Sequence, residues 1–183
     1  MNQAASRRLY GVLALFLASL PGCGDESDEG AKDDDKVIAM GKALQVYTDV
    51  TGNPIAMGAS AEGTAWDQGG KLKLSLRVAA FPASRDFGAH LHKLSCSDNK
   101  AGGHYQHMAA PTMEEVNTPT YANTANEAWL DFTTAADGSA AVETTQSWLP
   151  RSGEAMSIVI HAMKTDVNGR AGDKLACLPL NPP

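Results

Sequence analysis

Five histidines carry the chemistry that this chain offers. Four of them, His90, His92, His104 and His107, crowd into residues 87–107. The fifth, His161, closes the apolar run Ser157-Ile158-Val159-Ile160-His161. A strand puts residues i and i+2 on one face. His90 and His92 are therefore expected to point to one side while Leu91 points to the other, into a core. Two imidazoles on one face, joined by others from the glycine-rich segment Ala101-Gly102-Gly103-His104 and from a separate strand, make the donor set of a metal site. A lone histidine is more often a packing or surface residue, but five concentrated in this way are poorly explained so.

The elements that must hold these rings read as β-structure from Val37 onward. Ala43 to Val50 alternates, and Thr51-Gly52-Asn53-Pro54 is a turn. Lys71 to Val78 is the cleanest alternation in the chain. Leu72, Leu74, Leu76 and Val78 share one face, and Lys71, Lys73, Ser75 and Arg77 share the other. That pattern predicts a strand buried on one face and wet on the other, as in antiparallel sheets. The His-Leu-His strand comes next. Residues 95–126 show little periodicity, and loops that long are uncommon unless functional. Strand character resumes over Ala128–Thr133, Asp137-Gly138 signals a hairpin turn, and further strands are expected over Ala140–Thr145, Met156–Met163 and Lys174–Leu180. No stretch after the leader has convincing helical periodicity. About eight short strands separated by turns predict an all-β sandwich or barrel.

Residues 1–22 read as an export signal, with Arg7 and Arg8 before a short apolar run, Val12 to Leu20. The run is too short for a stable membrane-spanning helix. Leu20-Pro21-Gly22-Cys23 resembles a bacterial lipobox, although Pro21 is unusual there. The resemblance implies that Cys23 becomes the lipidated first residue of an exported lipoprotein, anchored to a membrane and facing the periplasm or the cell exterior. Gly24 in place of aspartate favours the outer membrane where the cell has one. Residues 23–36 are acidic and polar and read as a tether, leaving residues 37–183 for the β-domain. The tether supplies much of the net charge of −6. No basic cluster points to nucleic acid. Export implies an oxidising compartment. With Cys23 assigned to lipid, Cys96 and Cys177 remain and are expected to pair.

Taken in order, several pieces resemble the copper/zinc superoxide dismutase family. Gly88-Ala89-His90-Leu91-His92 resembles its paired copper-ligand strand, and Cys96 follows soon after, as in bacterial members. Ala101-Gly102-Gly103-His104 resembles the segment whose histidine bridges copper and zinc. Asp137-Gly138 resembles the hairpin after the zinc loop, Val159-Ile160-His161 the strand with the last copper ligand, and Gly172 to Cys177 the terminal strand with the second disulfide cysteine. The resemblance covers most of residues 43–181. It implies an eight-stranded antiparallel Greek-key β-barrel, copper held by His90, His92, His104 and His161, a Cys96–Cys177 disulfide, and dismutation of superoxide with His104 as the proton carrier. Neutral imidazole suits copper, which stands at the top of the divalent affinity order.

Three departures from the family matter. The two further zinc histidines and the aspartate are missing. Between His107 and Trp129 only Glu114, Glu115 and Glu127 offer carboxylates, so zinc is not expected and the chain resembles a copper-only branch. His107 is left as an alternative ligand, a supporting group or a solvated loop residue. The loop from His161 to Cys177 is short, which implies an open copper and weak steering of the anion. Within it, Asp166 either orients a metal-bound histidine or serves a turn. The family's active-site arginine is Lys174 here, which keeps the charge and loses the planar fork of donors. A cupin would need a carboxylate where Ser95 and Cys96 stand. A mononuclear hydrolytic zinc site needs only three histidines and a water, but lacks the ordered match. The main rival is a non-catalytic protein that holds copper for buffering or exchanges it with a donor or acceptor protein.

Overall fold

Leu72, Leu74, Leu76 and Val78 are buried, and the residues between them lie at or near solvent, as their alternation requires. In the computed structural model, which describes residues 35–183, they belong to one of two facing antiparallel sheets. The export signal, Cys23 and most of the tether lie outside the described residues. The strands are β1 (Asp35–Gly41), β2 (Gln45–Val46), β3 (Ser60–Gln68), β4 (Leu72–Ala79), β5 (Asp86–His92), β6 (Phe132–Thr133), β7 (Ala140–Gln146), β8 (Ser157–His161) and β9 (Lys174–Pro179). One sheet has the order β1-β3-β4-β7 and the other β2-β9-β8-β5-β6. The chain thus crosses between sheets after β4, returns after β6 to lie beside β4, and crosses again after β7 to place β8 beside β5.

The fold is all-β, as expected, but strand pairing leaves two sheets rather than one closed barrel. Their inner faces meet in one core that includes Leu74, Leu76, Phe87, Leu91, Ile158, Ile160 and Leu178. Phe81, Phe87 and Phe132 close one end of it, with ring centroids 5.3–6.1 Å apart.

Three boundaries differ most from the pattern. β1 includes Asp35 and Lys36, which composition placed in the tether; both pair across to β3, opposite Gln68 and Asp67. An edge strand tolerates such charges. β2 is two residues long because the Asn53 side chain takes over its ladder. Its Nδ2 donates to the carbonyls of Tyr47 and Leu175 at 2.9 and 2.8 Å. Over Ala128–Thr133 only the last two residues are strand. Leu130 N bonds Ala89 O, and Trp129 makes an isolated bridge to His90.

Cys96 and Cys177 form the expected disulfide, with Cα atoms 5.6 Å apart and 81 positions between them. Buried with Ala101 and Val159, it ties the segment after β5 to β9. A loop of that length contributes about 4–5 kcal/mol in the chain-entropy model. The Cys96→Ser, Cys177→Ser double variant is therefore expected to lose about 2–5 kcal/mol of unfolding free energy, read as a lowered urea midpoint. An unchanged midpoint would mean that the bridge does not constrain the unfolded chain.

Candidate metal centre

β5 is buried on both faces. Phe87, Ala89 and Leu91 enter the core, while Gly88, His90 and His92 face the other way, under the long segment after Cys96. β8 pairs with β5 so that Gly88 stands opposite His161 and His90 opposite Val159. Gly88 is needed for this approach: a Cβ there would lie 2.5 Å from Met163 O and 2.6 Å from Ala171 Cβ. The ladder between β8 and β9 slips between Ile160 and His161, an irregularity of the kind that re-aims side chains. His104 arrives from the loop and forms an isolated bridge with His92. One ring nitrogen from each of His90, His92, His104 and His161 then lies within 4.8 Å of the others.

The outer partners decide which nitrogen faces inward. His92 Nδ1 lies 3.0 Å from Gly102 O and His161 Nδ1 lies 3.2 Å from Gly172 O. Carbonyls only accept, so both rings carry the proton on Nδ1 and turn an Nε2 lone pair inward. His104 Nδ1 donates to Glu127 Oε2 at 2.8 Å, with the same result. His90 is reversed. The Thr165 hydroxyl donates to Asp131 Oδ1 at 2.7 Å, so at 2.6 Å from His90 Nε2 it must accept that ring's proton. Nδ1 of His90 is left inward, buried and without a partner.

Four lone pairs therefore converge. The Nε2 atoms of His92 and His161 are 3.2 Å apart. Two acceptors at that distance call for a positive charge between them. Nitrogens sharing one ion at about 2.0–2.1 Å lie no more than about 4.2 Å apart, so a small inward shift closes the widest pair around a metal. An orphaned buried nitrogen, four aligned donors and an outer hydrogen bond on every ring are what a metal-binding site requires.

Burial also keeps three of the rings, those of His90, His92 and His161, neutral. It pushes His90 and His92 well below the ordinary imidazole range, with the charge of His104 adding to the effect. Burial, then His104, lowers His161 to about 3. The unfolded chain therefore binds more protons than the folded one between about pH 3 and the unfolded histidine value near 6.5. The stability of the metal-free protein is expected to be flat above that window and to fall as pH drops through it. Each such ring contributes a slope of up to about 1.4 kcal/mol per pH unit. Urea midpoints at pH 7.5 and pH 5 check this; equal midpoints would contradict it.

The structure places the remaining candidates elsewhere. His107 is outside the cluster, and its exposed ring lies flat on Trp148, with centroids 5.1 Å apart. Asp166 accepts from the backbone N–H groups of Asn168 and Arg170, so it shapes a turn. Lys174 is near the site, but its ammonium donates to Lys100 O at 2.8 Å and Gly102 O at 2.5 Å. It steadies the same carbonyl that orients His92.

Two important residues carried no clear signal. Glu127 is buried and accepts from His104, Trp129 Nε1 and Gln106 Nε2. Asp131 anchors Thr165 through both its N–H and its hydroxyl, and so fixes His90 at one remove. Glu127 could be seen as a carboxylate in the long loop. Asp131 was hidden in a strand-like run.

No known protein family and no curated protein matches this chain.

Proposed function

We propose that this protein is an exported, copper-dependent superoxide dismutase that uses the four-histidine centre without a zinc site. The observation that carries the proposal is the convergence of four imidazoles whose inward nitrogens are fixed by their outer partners. Imidazole donors suit copper among the divalent metals. The ordered resemblance to the copper/zinc dismutases supports the choice of metal and reaction. The strand order, with its crossings between two sheets, is compatible with their eight-stranded Greek-key barrel.

Copper, when bound, would supply a one-electron couple that is reduced by one superoxide and reoxidised by the next, so that two superoxide ions and two protons give dioxygen and hydrogen peroxide. The protein positions the reaction. His104 is the one ring of the four with appreciable solvent contact, 17 % of its side chain. Its Nε2 would hold copper and, when not so engaged, is the atom at which a proton is taken up and passed on. Its Nδ1–H stays on Glu127 throughout, so the ring keeps its place. A histidine that bridges two metals needs both nitrogens. Here the second is committed to the Glu127 carboxylate. Lys93 and Lys174 line the cavity over His92 and His104 and attract a small anion.

The partners proposed are superoxide, a membrane reached through lipid on Cys23, and a copper donor. A non-catalytic copper carrier is the second reading. It is favoured by the two carbonyls that engage the Lys174 ammonium, which leave it less free for an anion. The two readings separate in single-turnover mixing. The Cu(II) signal in electron paramagnetic resonance should vanish with one equivalent of superoxide and return with a second. A signal that superoxide leaves untouched would sink the dismutase and favour the carrier.

A further inference from the structure

Metal must reach a centre in which His90, His92 and His161 are all buried. Only His104 has appreciable solvent contact, and the cavity over it, about 340 Å³, is shared with His92, Lys93, Lys174 and Met113. Met113 is 81 % exposed. Other apolar side chains, such as Val167, are as exposed, but Met113 is the one that lines this cavity beside His104. The other polar groups around the cavity are poor first ligands. Glu127 is buried and already accepts three hydrogen bonds. The amides of Gln106 and Asn117 are weak and hard, and the two ammonium groups oppose a divalent cation more than a monovalent one. A thioether is neutral and soft and selects Cu(I), and its unbranched chain can swing.

We propose that Met113 is the docking ligand for copper uptake: its sulfur receives Cu(I) at the cavity mouth and passes it to Nε2 of His104, from which it moves into the four-histidine centre. The inference rests on the copper reading of that centre. It assigns Met113 a part in loading and none in turnover.

The test is anaerobic mixing of the metal-free protein with Cu(I) held by bicinchoninate, following the loss of the chelator's colour. Wild type is expected to take up one equivalent. Met113→Leu should reach the same end point at least about tenfold more slowly. Met108→Leu, an exposed loop methionine outside the cavity, should load at the wild-type rate, and loading of Met113→Leu from Cu(II) should be unchanged. A Met113→Leu protein that takes Cu(I) at the wild-type rate would overturn the docking role and leave the centre standing. A wild-type protein that takes no more Cu(I) than His161→Ala would overturn both.

Discussion

Replacing His161 with alanine is expected to abolish turnover and to cost the centre its tight metal binding while the fold remains. His161 ends β8 opposite Gly88, and its Nε2 lies 3.2 Å from that of His92. Without it the remaining donors come from one strand and one loop, and none closes the site from β8. Losing even an outer partner of a metal ligand lowers affinity or activity about 10–100-fold, so losing the ligand itself should exceed the upper end of that range. The folding cost is smaller. It comprises one hydrogen bond to Gly172 and a small cavity, about 1–3 kcal/mol. Equilibrium dialysis against copper, together with a urea melt of the metal-free variant, separates the two effects. A variant that keeps one tightly bound copper and full turnover would show that His161 is not a ligand.

The second large effect is expected at Glu127. Its Oε2 accepts from His104 Nδ1 and from Trp129 Nε1, both at 2.8 Å, and its Oε1 accepts from Gln106 Nε2 at 2.7 Å. Glu127→Ala strands all three donors in a buried place, so a loss of about 3–5 kcal/mol of stability is expected, the range for breaking a buried charged network. Glu127→Gln is more informative. Its volume is retained, but its amide must turn a donor toward either Gln106 or the His104–Trp129 pair. If the amide faces His104, that ring loses the bond that fixes its tautomer. Metal affinity should then fall about 10–100-fold with a modest change in stability. A Glu127→Gln protein with wild-type affinity and turnover would reduce Glu127 to a packing residue.

Much of this arrangement is legible in the residues themselves, for physical reasons. A strand's period of two makes Leu72 to Val78 and His90-Leu91-His92 readable, because each side chain's face follows from its position alone. The cysteine pair is readable on the expectation that residues 1–22 are an export signal and Cys23 a lipid site, because the two cysteines left over have one way to join. The outer partners of the histidines are not readable in this way. Glu127 meets His104 only because the intervening loop folds back over β5, and no local period records that closure. Asp131 acts through Thr165, a residue 34 positions away. Asp166 could be read from the sequence either as orienting a ring or as a turn residue, and its carboxylate is taken by the turn it sits in. Composition also misplaced the start of β1, because Asp35 and Lys36 look like tether and yet pair with β3 along a sheet edge, where charge is tolerated.

The most direct test of the account is the decay of pulsed superoxide in the presence of the protein loaded with one equivalent of copper and no zinc. The expected result is a catalytic rate that depends on protein concentration, is unchanged by added zinc, and is lost in both the metal-free protein and His161→Ala. Decay no faster than with the metal-free protein, in a sample shown to hold one copper on the four histidines, would contradict it and leave a copper-binding protein in place of the enzyme.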